Sequence, residues 1–237
     1  MVNVLLVEDD SLIADTLMYY LGKAESYHVT CAKTAGEALA KARNQFDLIL
    51  MDILLPDADG IDLCRHMRQW HDCPVIFISC LDNSETIIRA LAAGGDDFVT
   101  KPFDNNVLIA RIEANLRRYR EKPFPDATNI IHCGDLMLDF NHHMVTKAGQ
   151  EVKLSMTEFR LLSFLMQNPG KHYTPKELYR NVWGSISAGD SRTVLVHIHN
   201  LRQKLEDTPN DPRYIVMDWG KGYYLAANPK GNGIGVK

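Results

Sequence analysis

The chain has 237 residues, room for two domains of ordinary size, and 46% of them are apolar, enough to build real cores. No run of about 18 apolar residues occurs, and the opening "MVNVLLVEDD" turns acidic without a positive flank, so neither a membrane span nor a signal peptide is expected. Five scattered cysteines (Cys31, Cys64, Cys73, Cys80, Cys133) with no C-x-x-C pair argue against a zinc site or disulfide framework and for a reducing cytoplasm, and the net charge of −4 is uneven, with 11 Lys and Arg against 18 Asp and Glu in residues 1–119 but 11 against 10 in residues 130–227.

Residues 2–7, "VNVLLV", form a short β-rich run, after which Ile13, Leu17, Tyr20 and Leu21 recur at helical spacing until Gly22. "HVTCA" (28–32), "DLILM" ending at Met51, "PVIFIS" (74–79) and "DFVT" (97–100) fit four more strands, with helical patterns such as "ETIIRALAAGG" between them. Strands alternating with helices imply a parallel sheet, whose ligands gather beyond the C-terminal strand ends. Glu8, Asp9 and Asp10 follow the first strand, Asp52 ends the third, Ser79 ends the fourth and Lys101 follows the fifth, so all are expected at one edge. Acids at strand ends also arise simply as solvated loops. Carboxylates crowded together at several strand ends repel one another, however, unless a cation sits among them. With oxygen donors only, that cation is magnesium, and a lysine and a hydroxyl on the same rim suit a phosphoryl group.

Charges around Pro123 and Pro125 mark an extended connector, and the texture then changes. "MVTKAGQEVKL" surrounds a turn at Gly149 and reads as a hairpin. Two capping boxes follow, Ser155 to Glu158 and Thr174 to Glu177, the second with Pro175 at the first helical position. A third helix carries Val194, Ile198, Leu201 and Leu205 on its inner face, and "RYIVMDWGKGYYL" closes as a hairpin with Gly220 and Gly222. Three helices and a terminal hairpin describe a winged helix. Leu195, His199 and Arg202 form its third helix's outward stripe, with Arg192, Asn200, Gln203 and Lys204 nearby; such a stripe is either a solvated face or a reader of base edges and phosphates. His132, His142 and His143 are expected at the surface.

"VLLVEDD", "ILMDILLPDADG", "VIFIS" and "GGDDFVTKPF" resemble the receiver domain of two-component response regulators over residues 1–119, and "TEFRLLSFLMQNPGK", "YTPKELYRNVWG", "DSRTVLVHIHNLRQKLE" and "GKGYYL" resemble the OmpR/PhoB winged-helix output domain over residues 130–227. The resemblance implies a flavodoxin-like (CheY-like) α/β receiver with five parallel strands and a winged helix-turn-helix domain; the connector read above spans 120–129, and the Gly-rich tail at 228–237 is expected to be disordered. It makes Asp52 the phosphoacceptor; Glu8, Asp9, Asp52 and the backbone carbonyl of Leu54 the Mg2+ ligands; and Ser79, Phe98 and Lys101 the phosphate-binding and switch residues. It places Arg192, Thr193, His197, His199, Asn200, Arg202, Lys204, Trp219 and Lys221 toward DNA. A homodimer formed on activation would use Ile87, Asp96, Asp97, Val107 and Arg111, with Asp97 and Arg111 as an inter-subunit pair. Departures from the pattern are Cys80 after the switch hydroxyl, apolar Ile87 and Val107 in place of a charge pair, Glu113 where a basic partner of Asp96 is usual, and Trp219 where some relatives have arginine.

The implied protein is a cytoplasmic DNA-binding regulator, not an enzyme beyond its own phosphoryl transfer. Its partners are promoter DNA, a sensor histidine kinase and RNA polymerase, the last through the loop from Gly184 to Asp190. One rival, a haloacid-dehalogenase-type phosphatase, needs an aspartate two residues after Asp52, where Leu54 stands. Another is a regulator that binds DNA without phosphorylation.

Overall fold

The computed structural model describes residues 1–23, 26–120, 130–184 and 191–226. They fall into two compact units, Met1–Arg120 and the described residues from 130 onward. The linker beyond Arg120, residues 185–190 of the loop expected to face RNA polymerase, and the tail at 228–237 lie outside the described residues.

The first unit runs β1 (Val2–Val7), α1 (Ser11–Gly22), β2 (Tyr27–Ala32), α2 (Ala35–Ala40), β3 (Leu48–Met51), α3 (Gly60–Met67), β4 (Val75–Ser79), α4 (Ser84–Ala92), β5 (Asp97–Thr100) and α5 (Asn105–Arg120). Its five strands pair in the order β2-β1-β3-β4-β5, every pair parallel. All of β3 and β4 is buried, as expected of strands covered by helices on both faces, and this explains their unbroken apolar runs. Strand order reverses between β1 and β3, and the crevice at such a reversal is where an open α/β sheet receives its ligand. Helix starts are set locally. Asp10, Thr34, Asp59 and Asn83 each cap a helix by accepting N–H groups of its first turn.

The second unit has a four-stranded antiparallel sheet, β6 (Ile130–Cys133), β7 (Leu136–Asp139), β8 (Met144–Lys147) and β9 (Gln150–Glu151), paired in sequence order. Its β6–β7 and β8–β9 hairpins turn on glycines of positive φ, Gly134 at 61° and Gly149 at 80°. The β7–β8 turn is built by Asp139, whose carboxylate accepts the N–H groups of Asn141 and His142 while His143 takes φ 49°. His132, His142 and His143 are exposed. Next come α6 (Met156–Gln167), α7 (Pro175–Trp183) and α8 (Ser191–Leu205), then the hairpin β10 (Ile215–Asp218) and β11 (Gly222–Leu225). Both capping boxes form, Ser155 with Glu158 and Thr174 with Glu177. Phe159, Leu162, Leu178, Trp183, Val194, Ile198, Leu201 and Leu205 share a core with Ile215 and Leu225. The unit is a winged helix. Gly222 lets the wing close on the body: at φ 106° its missing Cβ would lie 2.2 Å from the Tyr173 carbonyl oxygen, and Tyr223 and Tyr173 exchange backbone hydrogen bonds of 2.8 Å.

Candidate functional site

Glu8, the first residue after β1, and Asp52, the first after β3, are both buried. Asp9 stands beside them, exposed; carboxylate oxygens of the three lie within 4.8 Å of one another. Lys101 reaches over from the end of β5 and donates to Glu8 Oε2 at 2.8 Å and to Asp52 Oδ2 at 2.6 Å. The turn after β3 fixes Asp52 in place. The Leu54 N–H donates to Asp52 Oδ1 at 3.0 Å, and Gly60 packs so tightly that a Cβ there would lie 2.0 Å from the Asp52 carbonyl oxygen. Asp57 fastens the same turn to α2 by accepting the N–H groups of Ala35 and Gly36 at 2.8 and 2.9 Å. Those N–H groups, Gly36 foremost, hold the Asp57 carboxyl below the usual carboxylate range.

Burial pushes the Glu8 carboxyl above its ordinary pKa; hydrogen bonding to Lys101 opposes the rise and the charge of Asp52 adds to it. Burial also acts to lower the Lys101 pKa, but its hydrogen bonds to Asp52 and Glu8 and their charges outweigh it and raise the ammonium above the usual lysine value. The donor set is all carboxylate oxygen, three acids against one lysine. Such a set fits a hard divalent cation of the magnesium type and does not fit zinc or copper. Ser79 is fully buried at the end of β4, with its hydroxyl 3.5 Å from the Leu81 N–H. Phe98 lies inside, ring-to-ring with Phe77 at 6.4 Å. The Lys101–Pro102 bond is cis.

The face of α4, β5 and α5 differs from expectation. Ile87 is buried, and only Val107 of the expected apolar pair is exposed. Asp96 is buried and engaged by Arg68 at 2.6 Å and by the Val75 N–H at 2.9 Å, so it offers no charge to a partner. Asp97 is likewise buried, and its two carboxylate oxygens each lie 3.0 Å from Arg111 Nη1 of the same chain. Within the single chain these two residues of the expected inter-subunit pair meet each other, because β5 and α5 pack side by side.

In the second unit α8 presents Leu195, His199 and Gln203 to solvent, with Asn200 half-buried beside them and Arg192 near the start. Two expected DNA-facing residues are not on that face. Thr193 and His197 are each 1% exposed, and the His197 ring packs 5.4 Å from that of Trp183. The helical spacing carried the signal: His197 lies three residues after Val194 and four before Leu201, both on the inner face. Several expected phosphate contacts are engaged within the unit. Arg202 donates to the Ile215 carbonyl at 2.9 Å and lies over the Tyr223 ring, Lys204 pairs with Glu158 at 2.6 Å, and Lys221 pairs with Asp218 at 2.9 Å. Trp219 stands at the wing tip, exposed.

Comparison with known proteins agrees with this geometry. The Response regulator receiver domain matches residues 4–113, and the family described as Transcriptional regulatory protein, C terminal, matches residues 149–225. The response regulator DrrB of Thermotoga maritima, described as an OmpR/PhoB homolog, is 31% identical, with 95% of this chain and 99% of that one aligned at a TM-score of 0.51. A RitR mutant is 25% identical over 96% of this chain and 100% of that one, at a TM-score of 0.74. The chain belongs to the OmpR/PhoB family of response regulators.

As a response regulator it joins a receiver to a DNA-binding output domain and is a two-component transcriptional regulator, not a classical enzyme. Receiver domains of this kind generally bind Mg2+ at such an acidic pocket. No helix among the described residues is long and apolar enough to cross a membrane. Two residues that shape this regulator carried no motif in the sequence. Arg68 donates to the Gly94 carbonyl as well as to Asp96, joining the end of α3 to the turn before β5. Glu206, buried just past α8, accepts the N–H groups of Arg213, Tyr214 and Ile215 at 2.7 to 3.0 Å. The partners of Arg68 lie 26 and 28 residues away and those of Glu206 seven to nine, beyond what local periodicity reveals.

Proposed function

We propose that a sensor histidine kinase switches this response regulator by phosphorylating Asp52, and that the phosphorylated form pairs and binds promoter DNA. The observation that carries the reading is the convergence of Glu8, Asp9, Asp52 and Lys101 on one cradle from three strand ends. Glu8, Asp9, Asp52 and the Leu54 carbonyl would hold Mg2+, which when bound supplies positive charge to the equatorial phosphoryl oxygens. The remaining chemistry belongs to the chain. Asp52 Oδ2 attacks the phosphorus of a phosphohistidine, the N–P bond breaks as the O–P bond forms, and the imidazole leaves. Lys101, already 2.6 Å from that oxygen, transfers its hydrogen bond to the new phosphate. Ser79 donates its hydroxyl to the same group and draws the end of β4 inward, and Phe98 follows into the space it leaves.

Output is proposed to run through α8 in the major groove. His199, Asn200, Arg192 and the outer reach of Arg202 and Lys204 contact DNA there, Asn200 is suited to adenine, and Trp219 and Lys221 contact it from the wing. Thr193 and His197 support α8 from within. The paired form uses the face of α4, β5 and α5, where exposed Ile88 and Val107 offer apolar contact. RNA polymerase is the further partner, and the work is cytoplasmic. Binding to a duplex selected from a random pool tests the reading. After acetyl phosphate and Mg2+ the wild type binds more tightly than before, while Asp52→Ala does not change. Equal affinity with and without treatment would establish the regulator that binds constitutively.

A further inference from the structure

A second concave site lies at the opposite end of the receiver sheet from the acidic cradle. Asp47 precedes β3 and Asp52 follows it, so the strand separates the two ends by roughly 16 Å. At the Asp47 end, the loops leading into β3 and β4 bound an open cavity of about 580 Å³, the size that holds a small molecule. Phe46, Trp70 and Tyr119 line it with aromatic side chains, and Asp47 and Asp72 line it with carboxylates. Trp70 is 53% exposed, so an indole at this cavity still faces water. None of these residues takes part in the phosphoryl chemistry proposed above.

The walls are held in place by the chain itself. His71 Nε2–H donates to the Ala42 carbonyl at 2.7 Å, and the His71 ring stands 5.6 Å from that of Phe46, so the two loops are joined. Asn3 and Asp47 exchange hydrogen bonds of 2.8 Å, the Asn3 N–H donating to Asp47 Oδ2 and the Asp47 N–H to the Asn3 carbonyl. Arg68 donates to the His71 and Cys73 carbonyls and fixes the loop before β4. The charge of the lining then selects the ligand. Burial raises the Cys73 thiol to about 12; the charge of Arg68 opposes the rise, and Asp96, Asp47 and Asp72 add to it. Burial likewise holds the Tyr119 phenol above its ordinary range. Both groups are neutral near pH 7, which leaves two acids against one cation, the exposed Arg43. Such a lining repels an anion, and a purely apolar guest would strip water from carboxylates without replacing it. A weakly hydrated cation satisfies the acids and the aromatic faces together.

We propose that this cavity binds a small organic cation with an alkylated ammonium head, received by Phe46, Trp70 and Tyr119 with Asp47 and Asp72 as its counter-charge. A bare ammonium is strongly hydrated, whereas an alkylated one sheds water at less cost and gains more from an aromatic face. The site stands apart from the cradle, so it fills whether or not Asp52 carries a phosphoryl group, and it rests on neither the phosphorylation nor the DNA-binding reading.

The test uses the isotope-labelled full chain, choline as the probe and its neutral isostere 3,3-dimethylbutan-1-ol as the control. The chain has three tryptophans, and the indole N–H signal lost in Trp70→Phe assigns Trp70 in the nuclear magnetic resonance spectrum. Choline is expected to shift that signal saturably and to leave those of Trp183 and Trp219 unmoved, while the isostere binds about tenfold more weakly. Asp72→Asn, a change at an exposed position, is expected to weaken choline about fivefold, the scale of one unit charge a few ångströms away in water, with an unchanged melting temperature. Added salt weakens the wild type more than this variant. Asp52→Ala binds choline as the wild type does. The proposal is overturned if choline moves no signal of Trp70, or if the isostere binds as tightly as choline, which would leave an apolar pocket without a charge preference. Binding that survives in Asp72→Asn undiminished but is lost in Asp52→Ala would place the probe in the acidic cradle and overturn it equally.

Discussion

Lys101 holds Glu8 and Asp52 at once, so it occupies electrostatically the place a divalent cation would take. Removing that charge leaves three carboxylates to attract a cation unaided. Lys101→Met is expected to bind Mg2+ several-fold more tightly in a calorimetric titration, since a unit charge a few ångströms away is worth about 1–4 kcal/mol near a surface. Unchanged or weaker binding would contradict the arrangement. The cysteines divide just as clearly. Burial raises Cys64 to about 11 and Cys73 to about 12, whereas Cys80 is exposed. At pH 8 a disulfide reagent is expected to label Cys80 quickly and to leave Cys64 and Cys73 untouched in the folded chain. The stability linked to these two buried thiols is complete below the unfolded thiol pKa of about 8.5 and is lost as pH rises toward their folded values. Resistance to urea unfolding should therefore weaken from about pH 9 upward, and less steeply in Cys73→Ala.

Residues that follow an apolar run into a turn, as Glu8, Asp52 and Lys101 do, were legible because strand ends of a parallel sheet converge. Side chains on α8 were harder. The family resemblance put Thr193 and His197 toward DNA, while their helical positions, the better guide, placed them inside. The pairing of Asp96 with Arg68 joins residues 28 positions apart and has no local signature.

At the scale of elements, two glycines hold the connections that aim the sites. Gly60 opens α3, where alanine would ordinarily gain up to about 1 kcal/mol of helix propensity. The clash with the Asp52 carbonyl outweighs that gain, since forcing an extra group into a packed site costs about 1–3 kcal/mol. Gly60→Ala is expected to lower the stability of the receiver and to slow phosphorylation together; a stabilised, fully active variant would refute the account of this turn. Gly222→Ala meets both a carbonyl and a left-handed φ and should be the more damaging change, about 3 kcal/mol or more by denaturant unfolding of the output unit. Glu206→Gln replaces one acceptor oxygen by a donor facing an N–H, at a cost of about 1–3 kcal/mol by the same measurement. Strand runs and capping boxes announced most elements. The sheet of β6 to β9 was only partly legible because its β7–β8 turn uses Asp139 and His143 in place of glycine.

At the scale of the molecule, each unit buries a core of its own: Leu6, Leu50, Ile76 and Leu108 among others in the first, Phe159, Leu162, Leu201 and Ile215 in the second. Residues 1–120 and 130–237, expressed separately, are therefore expected to unfold as two independent cooperative transitions. A fragment that fails to fold alone would show that its core is incomplete. The division was visible in the sequence from its two charge balances and the Pro123–Pro125 connector.

The central claim is that the acidic cradle exists to take a phosphoryl group on Asp52. Intact-protein mass measured after incubation with acetyl phosphate tests it most directly. The account predicts a gain of one phosphoryl group that needs Mg2+ and is absent in Asp52→Ala. A wild type that gains no mass, or an Asp52→Ala variant that gains as much, would contradict it.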